Sequence, residues 1–169
     1  TSLHVAAMCG SCDAVQVLVD AKATIDARDD LDWTPVHTAA ANGHNDIVKM
    51  LVDAKATIDA NSNYDGTPLY VAAKHGHSGV VKMLIDAKAR IDGKNNNGWT
   101  PLHTAARFGH SETVQTLLDA KAAVNSTNNY GDTPLPLAAD CGHTGVVQML
   151  LDAKATVDAK YGHDKTPLH

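Results

Sequence analysis

The sequence predicts an all-α fold, a solenoid in which short helix-turn-helix units stack in a row and are joined by β-turn or hairpin loops. Three observations support this prediction. Thr-Pro pairs recur every 33 residues, a stretch containing Ala-Ala follows each pair, and a second stretch with helical periodicity comes next. Such a constant period is typical of repeat proteins. Units therefore begin at positions 1, 34, 67, 100 and 133, a partial unit occupies 166–169, and 1–169 forms a single array.

The first helix of each unit is clearest in the unit that begins at Thr100. Thr100 is a favourable N-cap, and Pro101 suits the first helical position because that position needs no amide hydrogen. His103 follows three residues after the cap, close enough for a hydrogen bond across the first turn. Gly109 then ends the helix. The pattern predicts a helix of about two turns that begins at the Thr-Pro pair.

The second helix follows directly. Ser111 is expected to cap it, and Val114, Leu117 and Leu118 fall on one face at the i, i+3 and i+4 positions. Residues 122–132 lose this periodicity and are rich in Asn, Gly and Tyr, which favours turns. One such unit buries too little apolar surface to fold alone, so the units must stack on their neighbours.

Several columns of residues agree from unit to unit. Thr-Pro-Leu-His, then Ala-Ala, then Gly-His recur at the same period, for example at Gly43-His44, Gly76-His77 and Gly109-His110. In these motifs the chain resembles the ankyrin-repeat family over essentially its whole length. The resemblance implies stacked helix pairs and a protein-binding surface made of the turn tips and the exposed ends of the first helices.

The chain departs from the family pattern in two columns. Tyr70 and Pro136 replace the His of the first motif; we expect the Tyr70 unit to remake or lose the local hydrogen bond, and Pro136 to be tolerated in the first helical turn. Lysine replaces the Gly that ankyrin repeats usually place after the second helix. The column contains Lys22, Lys55, Lys88, Lys121 and Lys154. In a left-handed cap each lysine costs about 1 kcal/mol, partly offset by its charge at the helix end. A functional lysine ladder is the alternative, although aspartates two residues earlier would neutralise it.

Composition excludes some classes of function. A net charge of -5 argues against a general nucleic-acid binder. No apolar run approaches the roughly 20 residues that span a bilayer, and no signal peptide is visible, so we predict an intracellular protein of the cytoplasm or nucleus with no membrane insertion. Cys9, Cys12 and Cys141 form an odd set that fits a reducing compartment. The Cys9 to Cys12 spacing matches a redox motif, but it falls between two helices rather than after a strand. Since neither terminal unit has a polar capping pattern, we expect part of a longer array or disordered ends.

The histidines do not indicate an enzyme. Eight of the ten belong to the two repeated motifs. His75 and His77 flank Gly76, but no Cys or carboxylate joins them at a metal-ligand spacing. No phosphate-binding glycine loop or nucleophile motif is present. We therefore predict no catalytic residues, no metal and no cofactor.

Function is expected in the columns that vary between units. The predicted partner-binding residues are Trp33, Tyr64, Lys74, His75, Lys94, Trp99, Arg107, Phe108 and Tyr130. Aromatic and Arg side chains are the usual anchors of protein interfaces. The groove centred on Lys74, Trp99, Arg107 and Phe108 is expected to bind, as a monomer, a protein segment with acidic and apolar residues. Packing of Trp33 and Trp99 on the adjacent turn is the alternative for those two side chains.

Two further possibilities stay open. Asn125 resembles the position that asparaginyl hydroxylases modify in ankyrin repeats, although the other units carry Asp26, Asp59, Asp92 and Asp158 there. The array could also act as a structural tether within a larger regulatory protein, in which case the isolated repeats would bind nothing tightly.

Overall fold

Five helix pairs follow one another along residues 1–159, the part of the chain that the computed structural model describes. The first helices of the pairs are α1 (Ser2–Cys9), α3 (Pro35–Ala41), α5 (Pro68–Lys74), α7 (Pro101–Phe108) and α9 (Pro134–Asp140). The second helices are α2 (Cys12–Asp20), α4 (Asn45–Asp53), α6 (Ser78–Asp86), α8 (Ser111–Asp119) and α10 (Thr144–Asp152). Each helix packs on its pair partner and on the equivalent helix of the next unit. The all-α solenoid is therefore confirmed. The partial unit at 166–169 lies outside the described residues.

The first helices begin as the Thr-Pro-Leu-His motif predicts. The backbone N–H of Thr34 donates to Nδ1 of His37 over 3.1 Å, and Nε2 of the same ring donates to the carbonyl of Gly66, 29 residues away, over 3.0 Å. His103 makes the same two bonds, to Thr100 over 3.2 Å and to the carbonyl of Asp132 over 3.0 Å. The motif histidine thus caps its own helix and also ties its unit to the following turn. Pro136 is tolerated as expected, because α9 forms around it.

The second helices begin one residue earlier than the sequence suggests. The N-cap is the His of the Gly-His motif, not Ser111 or the residues equivalent to it, and this cap makes no side-chain bond within its own helix. The imidazole is used elsewhere: Nε2 of His77 donates to the carbonyl of Ala41 in the preceding unit over 2.9 Å. The ring also packs on the preceding glycine. A Cβ on Gly43, whose φ is +71°, would lie 2.6 Å from Nδ1 of His77. The glycine of one unit and the Gly-His histidine of the next therefore form one contact, and such a contact between units is here called a joint.

The lysine column ends the second helices in the left-handed region, as expected. The φ angles of its five members run from 61° at Lys22 to 71° at Lys88. At the end of α8 the N–H of Lys121 donates to the carbonyl of Leu118 over 2.9 Å, and the N–H of Ala122 donates to Leu117 over 3.0 Å. These two bonds form a Schellman motif, with lysine in the position that glycine usually takes.

The core runs through the whole stack and is made of small and branched residues. The Ala-Ala pairs bring the first helices close together, and a column of fully buried leucines fills the space behind them. Its members are Leu51, Leu84, Leu117 and Leu150. Thr113 is the exception in its column, because its hydroxyl is buried with no hydrogen-bond partner, whereas Ile47, Val80 and Val146 stand at the equivalent positions. Such a group costs about 1–3 kcal/mol.

We expect Thr113→Val to stabilise the protein by about 1 kcal/mol, or roughly 2–4 °C in Tm for a chain of this size, because it removes the buried hydroxyl and keeps the shape. The reverse change in the same column, Val146→Thr, should lower Tm by a similar amount. Thermal unfolding followed by circular dichroism measures both. A Tm unchanged or lowered by Thr113→Val would contradict the assignment of an unsatisfied hydroxyl.

The capping histidines should make stability pH-dependent. Burial lowers the pKa of His37 and of His103, and each Nδ1 must stay unprotonated to accept the backbone N–H of its capping threonine. Because the unfolded chain then binds more protons, this stability is complete above the unfolded pKa of about 6.5 and is lost as pH falls through the lowered folded pKa. Urea unfolding between pH 5 and 7.5 should show this loss of unfolding free energy. The double variant His37→Gln, His103→Gln should be less stable at pH 7.5, and its unfolding free energy should change less with pH than that of the parent. An equal pH dependence in the two proteins would refute the interpretation.

Candidate functional site

The predicted centre of the binding surface does come together where α5 and α7 end. Lys74 is the last residue of α5, Arg107 and Phe108 are the last two of α7, and Trp99 lies just before the cap of α7. Tyr70, one turn before Lys74, joins them from within the first helix of its unit. Here these five residues are called the central cluster.

Arg107 lies over the ring of Trp99. Its guanidinium carbon is 5.3 Å from the ring centroid, within the range of a cation–π contact. Arg28 and Arg90 each pair with an aspartate, at 2.7 Å from Asp32 and 3.7 Å from Asp59. Within residues 1–159, Arg107 has no ion pair with a carboxylate. Its exposed N–H donors are therefore held in place by the Trp99 ring and remain available to an acceptor outside the chain.

Tyr70 and Lys74 are fixed by partners that the sequence did not indicate. Nζ of Lys74 donates to Oδ1 of Asp65 over 2.7 Å, which leaves part of the ammonium exposed. Burial raises the pKa of the Tyr70 phenol, an effect partly offset by the Thr104 side chain of the next unit, and Tyr70 is only 6% exposed. Its N–H still donates to Oγ1 of Thr67, so the backbone half of the cap survives the loss of histidine. In the sequence, the role of Tyr70 was indicated only by its replacement of the motif histidine.

Phe108 gives the cluster an apolar surface. It is 49% exposed, and its ring stacks on His110 at 6.2 Å. Because Nε2 of His110 donates to the carbonyl of Lys74 over 3.0 Å, Phe108 is tied to the same joint as Lys74. His75 is exposed and stacks on His77, and its pKa is lowered by burial and then by the charge of Lys74, so it adds no full positive charge at neutral pH.

The other predicted site residues lie along the turn tips. Tyr64 and Tyr130 are exposed, at 75% and 49%. Nζ of Lys94 donates to the carbonyl of Thr127 over 2.8 Å, so this ammonium connects two tips. Trp33 is half-buried and stacks on His37 of its following helix at 6.0 Å. Trp99 lies at the same distance from His103, which means that both tryptophans pack partly against the neighbouring first helix.

The asparagines of the tips have a structural role that the sequence analysis missed. Oδ1 of Asn95 accepts the N–H groups of Asn97 and Trp99, both at 3.0 Å, and so shapes the tip before the central cluster. Nδ2 of Asn129 donates to the carbonyl of Asn96 in the preceding tip over 2.9 Å. The signal was an Asp or Asn four residues before Trp33, Trp99 and Asp132, with Ser62 in the same place before Gly66, a spacing that suits an Asx or Ser turn.

Asn125 is part of a joint between units. Its Oδ1 accepts the N–H of Thr156 over 2.8 Å, and its Nδ2 donates to the carbonyl of Lys154 over 3.3 Å. In the equivalent joint Asp26 accepts both the N–H of Thr57, over 2.9 Å, and its hydroxyl, over 2.7 Å. Hydroxylation of Asn125 remains a proposal, and it would require this joint to open.

The described residues offer little for other chemistry. No three His, Cys, Asp or Glu side chains within 1–159 are placed to hold a metal ion. Cys9 and Cys141 are exposed thiols, and Cys12 is half-buried. None of the helices in this part of the chain combines the length and the apolar content needed to cross a membrane.

Replacing Asn125 tests its place in the joint. We expect Asn125→Ala to destabilise the protein by about 1 kcal/mol through the lost bond to Thr156. Asn125→Asp should stay within about 0.5 kcal/mol of the parent, because Asp can adopt the arrangement of Asp26 with Thr57. Urea unfolding at pH 7.5 measures both changes. Equal losses of unfolding free energy in the two variants would show that the oxygen accepting the Thr156 N–H does not stabilise the protein.

Comparison with known proteins agrees with this architecture. The family model described as ankyrin repeats (3 copies) matches residues 3–95 and again residues 79–161. A search of curated proteins finds no match. The two family matches overlap at residues 79–95 and together extend over most of the chain. The chain therefore belongs to the ankyrin-repeat family.

Proposed function

We propose that this protein recognises one segment of a partner protein through the central cluster. Ankyrin repeats are generally protein-interaction modules rather than enzymes. The proposal is supported above all by Arg107, whose guanidinium is stacked on Trp99 and has no carboxylate partner within residues 1–159. A guanidinium held in this way suits bidentate binding of a carboxylate.

The partner segment is expected to combine an acidic and an apolar residue. A carboxylate would meet Arg107, with part of the Lys74 ammonium beside it, and an apolar side chain would pack on Phe108. Arg and aromatic residues at the centre of an interface usually contribute most of the binding energy. The chain as a whole has a net charge of -5, so Lys74 and Arg107 form a locally positive surface on an acidic protein. That surface would orient an acidic segment. The three free thiols support a reducing compartment, the cytoplasm or nucleus.

A matched pair of variants tests the site. The triple variant Trp99→Ala, Arg107→Ala, Phe108→Ala should lose at least about 30-fold in affinity for a captured partner, since truncated hot spots cost about 2 kcal/mol or more. The control triple Leu31→Ala, Arg90→Ala, Val157→Ala removes one exposed arginine and two exposed apolar side chains that lie outside the predicted partner-binding residues, and it should bind like the parent. Pull-down identifies the partner, titration calorimetry measures affinity, and circular dichroism verifies that each variant is folded.

A charge exchange tests the chemistry. If a partner carboxylate meets Arg107, Arg107→Glu should abolish binding, and a Lys in place of that partner residue should restore part of it. Equal losses in the two triples, or no partner that distinguishes them, would contradict the proposal. That result would favour the alternative role of a structural tether within a larger regulatory protein.

A further inference from the structure

Two asparagines of the chain, Asn42 and Asn97, are followed directly by glycine. An asparagine in this position can react with its own backbone, because glycine has no Cβ to hinder the approach of its amide nitrogen to the side-chain carbonyl carbon. The two pairs lie in different settings. Asn42 caps the end of α3, whereas Asn97 is exposed at the tip that precedes the central cluster.

The Asn42-Gly43 pair is held by the helices of the stack. Nδ2 of Asn42 donates to the carbonyl of Thr38 over 2.8 Å, so the reactive carboxamide is tied to its own helix. The ring of His77 lies against Gly43, and Nε2 of that ring donates to the carbonyl of Ala41 over 2.9 Å. Turning the Gly43 amide toward the Asn42 side chain therefore requires this joint and the end of α3 to open together.

The Asn97-Gly98 pair is held by hydrogen bonds among tip residues. The N–H of Gly98 donates to the carbonyl of Asn95 over 2.9 Å, and the carbonyl of Asn97 accepts the N–H of Asn129 over 3.0 Å. The carboxamide of Asn97 makes no hydrogen bond within residues 1–159. Asn96, Asn97 and Asn129 are exposed and Asn95 is half-buried. The tip can thus open without uncovering a core side chain, which makes its opening easier than that of the joint at Gly43.

We propose that Asn97 is a site of spontaneous deamidation, while the fold protects Asn42. The amide nitrogen of Gly98, after losing its proton to solvent, bonds to Cγ of Asn97, and the side-chain nitrogen leaves as ammonia. Water then opens the five-membered succinimide ring. Attack of water at Cγ gives aspartate on the normal backbone, whereas attack at the backbone carbonyl carbon gives isoaspartate, in which the chain runs through Cβ and Cγ. The proposal does not rest on the function proposed for the central cluster.

Isoaspartate at this position would loosen the hold on Trp99. Oδ1 of Asn95 accepts the N–H groups of both Asn97 and Trp99, each over 3.0 Å. One additional backbone carbon between these two donors changes their spacing, so a single acceptor oxygen no longer meets both with good geometry. Because the Trp99 ring lies 5.3 Å from the guanidinium carbon of Arg107, the modification would reach the central cluster through the backbone.

The first test compares the two asparagines in the folded protein. The protein is incubated at pH 8.5, digested at mildly acidic pH and analysed by mass spectrometry for the change from amide to acid. We expect Asn97 to react at least about tenfold faster than Asn42, because its tip opens more readily. In guanidinium chloride the two rates should be similar, since both asparagines precede glycine and the fold no longer distinguishes them.

Substitutions in the tips test whether opening controls the rate. Asn95→Ala should accelerate the reaction at Asn97 about tenfold, because the tip then opens with two hydrogen bonds fewer. Asp29→Ala is the matched control. Oδ1 of Asp29 accepts the N–H groups of Leu31 over 2.9 Å and of Trp33 over 2.8 Å in the first tip, so this change should leave the rate at Asn97 as it is in the parent. Asn97→Gln should give no product at this position, because its longer side chain would need a larger ring.

Amide exchange measured by NMR tests the effect on Trp99. In the isoaspartate form, purified by ion exchange, the N–H of Trp99 should exchange at least about tenfold faster than in the parent. The N–H of Trp33, which is bound in the same way, should exchange as before. Asn97→Asp carries the same charge on a normal backbone, so Trp99 should stay protected in that variant.

Three results would overturn the proposal. Equal rates at Asn42 and Asn97 in the folded protein would show that the fold does not select between the two pairs. A rate at Asn97 that Asn95→Ala leaves unchanged would show that opening of the tip does not control the reaction. Unchanged exchange of the Trp99 N–H in the isoaspartate form would show that the altered backbone does not reach the central cluster.

Discussion

The structure depends on the hydrogen bonds that imidazole rings make to distant backbone carbonyls, either in the turn that ends the same unit or in the preceding unit. A single helix pair has no closed core, so each unit is stable only if its neighbour is held at a fixed distance and register. His37 reaches forward to Gly66, and His77 reaches back to Ala41. Because the opposite side of the ring is occupied by a capping bond in one case and packed against a glycine in the other, neither imidazole can turn away without breaking both contacts. The 33-residue period repeats these two contacts, one to a carbonyl 29 residues later and one to a carbonyl 36 residues earlier.

These fixed columns leave other positions less constrained. At the ends of α5 and α7, the imidazole bonds are accepted by the backbone carbonyls of Lys74 and Arg107, which any side chain would provide. A stack can therefore vary the residues proposed for recognition without losing these bonds. Tyr70 combines the two roles, since it occupies the column of the capping histidine and lies, nearly buried, near Thr104 within the central cluster.

Sequence reasoning succeeded where one unit contains both partners of an interaction. The Thr34 cap with His37, the tolerance of Pro136 and the left-handed lysines follow from residues within a few positions of one another, and all were predicted. It failed where the partner lies in another unit or at a place set by folding. The second helices are capped by His44 and its equivalents, whose imidazoles bind a carbonyl 36 residues earlier, so Ser111 is not the cap. The Lys74 pair with Asp65 likewise depends on where the tip folds back on the helix, which no local pattern indicates.

The central cluster exposes a guanidinium that the Trp99 ring holds in place, and the half-exposed ring of Phe108 belongs to the same cluster. In the proposed function, the binding energy would come from exchanging water for a matched carboxylate and from burying the Phe108 ring. Affinity would then depend on the geometry of these few groups more than on the area of the interface. A contact of this kind suits a partner that binds and dissociates while the stack itself stays unchanged.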